Sequence, residues 1–193
     1  MAGLRNAGVE INRKMAELSA MLGDNHPRLV QARSELASVR ARFVSETQRI
    51  TLAVRAELDA EPMLQSHDAR LVSLAVRIAG NDRDPRVVAE KLERWVFDSL
   101  AKVVTLSVPN ALDVLRTRKG DCNEHTQLYV ALARAVGIPA RIATGLAYVN
   151  GKFYYHAWPE VWLRDWVAVD PTFGQFPADA SHLRFVVGRS EEH

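Results

Sequence analysis

The chain has 193 residues, 48% of them hydrophobic, which is enough to bury a core and too many for a chain disordered throughout. The formal net charge is +2, and the 20 Arg and 5 Lys are spread along the sequence rather than grouped, which argues against a nucleic-acid surface. The apolar stretch from Tyr129 to Val149 is interrupted by Arg134, Gly137-Ile138-Pro139 and Arg141 and does not read as a membrane span, and no secretory signal opens the chain. A cytoplasmic place is the default expectation, with a larger exported or membrane-anchored parent protein as the alternative. The single cysteine, Cys122, allows no internal disulfide and is the one soft nucleophile available.

Of fourteen aromatic residues only Phe43 precedes Trp95, so two modules are expected: residues 1–60 and residues 62–188. In the first, apolar residues recur by sevens at Leu4, Ile11 and Leu18, then at Leu29, Leu36, Phe43 and Ile50. The two series are out of phase, and Gly23-Asp24-Asn25-His26-Pro27 between them ends one helix, caps the next at Asn25 or His26 and places Pro27 in its first turn. The reading is a helical hairpin or short coiled coil. Its second seam, Ala32, Val39, Glu46 and Ala53, is thin, so self-association or a partner helix is expected there. A chain cut at residue 62 is expected to fold alone.

The next helix is expected from about Ser66, with Leu71, Val72, Leu74, Ala75 and Ile78. Asp84-Pro85 then gives an N-cap and a first-turn proline for a helix carrying Val88, Leu92, Trp95 and Val96 on one face. The acidic alternation at Asp82 and Asp84 lacks the glycine, later ligands and final Glu of a calcium loop, so capping is the better reading. A short helix from Asn110 to Arg116 precedes Lys119-Gly120. Asp121-Cys122-Asn123-Glu124 reads as a capping box, which puts Cys122 in the first turn of a helix that is apolar almost all round to Val136 and stops at Gly137.

A thiol at a helix N-terminus meets unpaired N–H groups and the positive end of the dipole, which favour thiolate, although Asp121 and Glu124 oppose this and a buried structural cysteine remains the alternative. Beyond it, Pro139 to Val149, a tight turn at Asn150-Gly151, Lys152 to Leu163, and Trp166 to Asp170 read as an antiparallel sheet. Tyr154, His156, Trp158, Glu160 and Trp162 share one face of the second strand, and Asp170 ends the third. A helix-borne Cys122, a strand-borne His156 and a neighbouring Asp170 are the parts of a thiol acyl-transfer site. Register tests this directly. A two-residue turn at Arg164-Asp165 would turn His156 and Asp170 to opposite faces, so a three-residue turn or a bulge is required, and Pro159 is the natural place for a bulge.

Gly120-Asp121-Cys122-Asn123-Glu124-His125, Ala133-Arg134-Ala135-Val136-Gly137-Ile138-Pro139-Ala140-Arg141, His156-Ala157-Trp158-Pro159-Glu160-Val161 and Val169-Asp170-Pro171-Thr172 resemble, in order and close spacing, the core of the transglutaminase-like superfamily of cysteine enzymes, in its bacterial branch. The resemblance spans Ser66 to about Gly188. It implies an α+β, papain-like fold in which a central helix carrying the cysteine packs on an antiparallel sheet, with Cys122, His156 and Asp170 as catalytic triad. The implied reaction is acyl transfer at peptide or glutamine-type amide bonds through a thioester, with hydrolysis as protease or amidase preferred. A protein cross-linking transglutaminase and a catalytically silent binding module are the alternatives. The partner is a protein or peptide substrate, and the chemistry needs no metal or organic cofactor. The N-terminal helices resemble, over the few residues of Leu22-Gly23-x-x-His26-Pro27, the coiled coil of bacterial polysaccharide chain-length regulators.

Trp158 is expected to shield the imidazole, Trp162 and Trp166 to pack across strands, and Asn123 and His125 to face the cleft or support the site from behind. Cys122-x-x-His125 with His156 and Asp170 is a conceivable zinc set, but one ligand pair at helical spacing is weak support for it. The Cys122 N–H is one expected oxyanion donor, with no partner donor evident. His26, His67, His182 and His193 are expected to be ordinary surface or loop residues.

Overall fold

The computed structural model describes residues 2–21, 26–59, 61–104 and 110–188. Gly23 to Asn25 of the expected turn, the side chain of Leu4, and His193 lie outside the described residues. The chain forms two compact units, Met1–Ala53 and Val54–His193.

The first unit holds α1 (Ala2–Met21) and most of α2 (Pro27–Ala56). Gly8 lies against Val39, while Leu18 shares a cleft with Arg28, so the helices run antiparallel. His26 Nδ1 accepts from the Arg28 N–H at 3.2 Å, and Pro27 opens α2, as the turn chemistry requires. Only the start of the α2 seam is buried, at Leu29, Ala32 and Leu36; Val9, Val30, Val44 and Leu52 are exposed.

In the second unit α3 (Ala69–Ala79) is capped by Asp68 and α4 (Pro85–Ser99) by Asp84 with proline at its first position, each Asp accepting the N–H two residues on. Their apolar faces, including Leu71, Leu74, Leu92 and Val96, close on α6 (Cys122–Ala135). From Leu128 to Ala133 that helix is fully buried, which is what its all-round apolar sequence demands. Between them lie α5 (Ala111–Thr117), capped by Asn110, and a two-residue parallel pairing of β1 (Ala101–Lys102) with β2 (Lys119–Gly120), which the sequence did not announce.

The main sheet has the order β5-β4-β3-β6, from β3 (Ala140–Val149), β4 (Lys152–Trp162), β5 (Trp166–Ala168) and β6 (His182–Gly188). The β3–β4 turn is the expected two-residue Asn150-Gly151, with φ of 50° and 83°, the pair of positive values that a type I′ hairpin turn needs. Strand β6 is an addition to the expected three. It pairs antiparallel with β3 across a bulge at Thr144/Gly145, where a side chain on Gly145 would come within 2.0 Å of the Leu183 carbonyl oxygen. Only glycine admits so close a backbone.

Arg134 is the one cation of the central helix and its side chain is 1% exposed. Nε donates to the Ala140 carbonyl at 2.8 Å, Nη1 to the Asp59 carbonyl and to Glu61 at 2.7 Å each, and Nη2 to Glu57 at 2.8 Å. Residues 57–61 are thereby part of the second unit rather than a linker. A chain beginning at residue 54 keeps these partners, whereas one beginning at residue 62 leaves a buried guanidinium without its carboxylates. In urea unfolding the 62–193 chain should be less stable than the 54–193 chain by roughly 3–5 kcal/mol, and equal midpoints would contradict this role for Arg134.

Candidate active site

Cys122 is the first residue of α6, and its position is fixed from both sides. The Asp121 carboxylate accepts the Asn123 N–H at 3.0 Å, and Glu124 Oε2 accepts the Asp121 N–H at 2.9 Å, completing the capping box. Glu124 is 1% exposed and lies so close over Gly120 that an added side chain there would meet its Cβ at 2.3 Å. Cys122 itself is half-buried.

His156 and Asp170 meet because the turn after β4 has three residues. Trp162 pairs with Trp166, Val161 with Val167 and Glu160 with Ala168, so residues of equal parity share a face. The turn spans Leu163-Arg164-Asp165 with Arg164 at a φ of 77°. The irregularity therefore sits in the turn and not at Pro159, which pairs in register with Ile142 and whose carbonyl accepts the Val169 N–H at 3.0 Å. Proline is tolerated there because its carbonyl, and not the N–H it lacks, makes that bond.

His156 Nε2 donates to Asp170 Oδ2 at 2.6 Å, and the Cys122 thiol lies near enough to raise the pKa of the ring. With Nε2 committed, Nδ1 is the nitrogen left for exchange with the thiol. The imidazole is stacked on Phe173 at 4.8 Å between centroids and on Trp158, 1% exposed, at 6.0 Å. Asp170 is fully buried; Oδ1 accepts the N–H groups of Thr172 at 2.7 Å and Phe173 at 3.2 Å. Burial alone would raise its pKa, but hydrogen bonds from His156, His182 and the backbone prevail and hold it down at about 2. Burial opposes a charge on His156, yet the hydrogen bond to Asp170 and the neighbouring Cys122 outweigh it and lift that pKa to about 9.

Asn123 is exposed and its N–H serves the cap. His125 is fully buried. Its Nδ1 lies 2.6 Å from the Asp121 carbonyl oxygen and takes the role of donor, Nε2 has no hydrogen-bond partner, and burial lowers its pKa. Among the described residues it does not fall into a group of metal-ligating side chains with Cys122. Trp162 and Trp166 pack edge to face at 5.5 Å, as expected.

His182, expected to be an ordinary loop residue, instead opens β6 with its side chain 4% exposed and Nε2 2.9 Å from Asp170 Oδ2. The misplacement follows from missing β6: alternate positions His182 and Arg184 turn toward the site while Leu183 is 53% exposed. Among the described residues His156, Asp170 and His182 are the set able to hold a metal ion, with ligand atoms within 4.8 Å of one another. The 2.6 and 2.9 Å separations are those of hydrogen bonds; two ligands on one tetrahedral metal with bonds of about 2.0–2.1 Å would sit roughly 3.3 Å apart. Glu93 was also missed. Flanked by Leu92 and Val96 on the buried face of α4, it is 3% exposed, and burial raises its pKa to about 7.

Residues 72–171 match the family described as the transglutaminase-like superfamily. An uncharacterized protein, ML0607, of Mycobacterium leprae is 30% identical over 115 residues, covering 54% of this chain and 41% of that protein. A candidate cysteine protease from Cytophaga hutchinsonii has a similar crystal structure, with a TM-score of 0.62 and 25% identity over 71% of this chain and 47% of that one. The periplasmic domain of TgpA from Pseudomonas aeruginosa shares the fold, with a TM-score of 0.51 and 22% identity over 63% of this chain and 47% of that one. The chain thus spans less than half the length of each. No helix among the described residues is long and apolar enough to cross a membrane.

The two pKa shifts make the stability of this site pH-dependent in a defined way. Asp170, lowered in the folded state, stabilises the fold above its unfolded value near 4, and this is lost as pH falls toward about 2. His156, raised in the folded state, stabilises it below about 6.5, and this is lost as pH rises through about 9. The stability advantage of the native chain over Asp170→Asn should therefore peak between about pH 4 and 6.5 and shrink on both sides, by denaturant unfolding across that range. A flat difference would contradict the assignment.

Proposed function

Because the chain belongs to the transglutaminase-like superfamily, we propose that it is a thiol-dependent acyl-transfer enzyme in which Cys122 is the nucleophile, His156 the acid–base and Asp170 the residue that orients and charges His156. The observation that carries this reading is the short Asp170–His156 bond on an imidazole whose pKa the neighbouring Cys122 also raises. At neutral pH that ring is imidazolium beside the sulfur, which favours the thiolate.

The Cys122 sulfur adds to the carbonyl carbon of a carboxamide or peptide bond, and the negative charge passes to the carbonyl oxygen. The Cys122 N–H, at the first position of α6 and outside the helix's own bonding pattern, faces that oxyanion. As the C–N bond breaks, His156 Nδ1 gives its proton to the leaving nitrogen, so ammonia or an amine departs and a thioester remains on Cys122. The ring, now neutral with Nε2–H held by Asp170, takes a proton from water through Nδ1. Hydroxide then expels the thiolate, and the carboxylic acid leaves.

Water as acceptor, giving a protease or amidase, is favoured by the likeness to the Cytophaga hutchinsonii candidate protease. The chain spans less than half the length of its relatives, so the activity proposed is that of this domain. The exposed Val30, Val44 and Leu52 of α2 offer an apolar face for self-association or a partner helix.

Incubation with glutamine-containing peptides should release ammonia or cleaved peptide, form hydroxamate when hydroxylamine is added, and lose all of this in Cys122→Ala. Equal turnover by Cys122→Ala would overturn the proposal.

A further inference from the structure

We propose that His182 is a fourth member of the site, a positioning residue that donates to the same oxygen of Asp170 as His156 and so governs how firmly Asp170 holds the His156 proton. The inference rests on the triad reading above and adds a residue to it. Both rings present Nε2 to Oδ2, at 2.6 Å for His156 and 2.9 Å for His182. Asp170 is held ionised and can only accept, so both nitrogens donate.

From Asp170 a chain of bonds runs through Gln175 to Asp179 and Ser181, which lie against His182. The backbone of Asp170 exchanges hydrogen bonds of 2.9 and 3.0 Å with that of Gln175. The Gln175 amide donates to Asp179 Oδ2 at 2.9 Å, and its Oε1 accepts the Asp179 N–H at 3.2 Å. Asp179 Oδ1 accepts the Ser181 N–H, and the Asp179 carbonyl lies 3.3 Å from His182 Nδ1. The other ring nitrogen meets Asp170 Oδ2. Trp158 packs edge-on against the His182 ring at 5.0 Å, and the pairing of His182 with Ala147, itself opposite Tyr154, sets its height two residues from His156. The side chain is 4% exposed, so water does not compete for either nitrogen.

Two donors on one carboxylate oxygen divide its lone pairs, and each bond is weaker than either would be alone. The second donor thus keeps His156 from binding its proton so tightly that it cannot pass it to a leaving nitrogen. The ionisable groups about His156 are Cys122 from α6, Asp170 after β5 and His182 from β6, while Glu93 of α4 and His125 of α6 act on Asp170 through space.

The test is the pH profile of Cys122 alkylation by iodoacetamide in the full chain, with His182→Leu, which keeps bulk and removes the donor, and His182→Gln, which returns an amide N–H. In His182→Leu the upper inflection, where His156 loses its proton, should move up by roughly half a pH unit or more, because Oδ2 then serves His156 alone. His182→Gln should return it toward the native position. An unchanged or lowered inflection in His182→Leu would overturn the proposal, since loss of a merely structural ring would loosen Asp170 and weaken its hold on His156. If His182→Leu does not fold, long-range ¹⁵N–¹H spectra of the native protein decide: hydrogen on Nε2 of both rings is required, and a His182 ring protonated only on Nδ1 refutes it. Failure of the triad reading has a different signature, an alkylation profile that His156→Ala leaves untouched.

Discussion

A carboxylate taken wholly out of water persists as an anion only if donors replace its hydration shell, and Asp170 has four: the Thr172 and Phe173 N–H groups on Oδ1, and two imidazoles on Oδ2. Much of the second unit arranges these donors. The three-residue turn after β4 puts His156 and Asp170 on one face, the paired backbone of Asp170 and Gln175 holds the loop, and β6 brings His182. The resulting negative charge lifts the His156 pKa to about 9 despite its burial, and the charged ring is what a thiol at the head of α6 needs beside it.

The scaffold delivers the thiol by separate means. The capping box fixes the first turn of α6, Gly120 leaves room for Glu124 above it, and Thr126 Oγ1 ties the helix to the Ala157 carbonyl at 3.1 Å, one residue beyond His156. Farther along the helix Arg134 binds the 57–61 segment and the start of β3 together. Cys122 and His156 thus stand on rigid elements, as the proposed roles of nucleophile and base require.

Much of this was legible in the sequence where a local rule governs. Asp84-Pro85 and Asp121-x-x-Glu124 mark helix starts because capping is decided within four residues, and Asn150-Gly151 marks a hairpin because both positions need positive φ. The four blocks around Cys122, His156 and Asp170 carried the family. The alternation of strands also exposed the parity problem, but not its solution, since nothing about Arg164 announces a left-handed residue and Pro159 is the conspicuous irregularity. His182 was invisible because its strand has exposed Leu183, Phe185 and Val186 in a run that lacks alternation, broken by the bulge opposite Gly145. Glu93 was read past because its apolar neighbours defined the helix face. In each case the missing information is a contact distant in sequence.

The central claim is that Asp170 and His156 together activate Cys122. Its most direct measurement is the rate of Cys122 alkylation by iodoacetamide against pH in the native chain and in His156→Ala. The account predicts a native thiol that reacts well below pH 8.5, the value for a free cysteine, and falls by about tenfold or more near pH 7 when His156 is removed. A native profile that rises as that of an ordinary thiol, unmoved by the substitution, would contradict it.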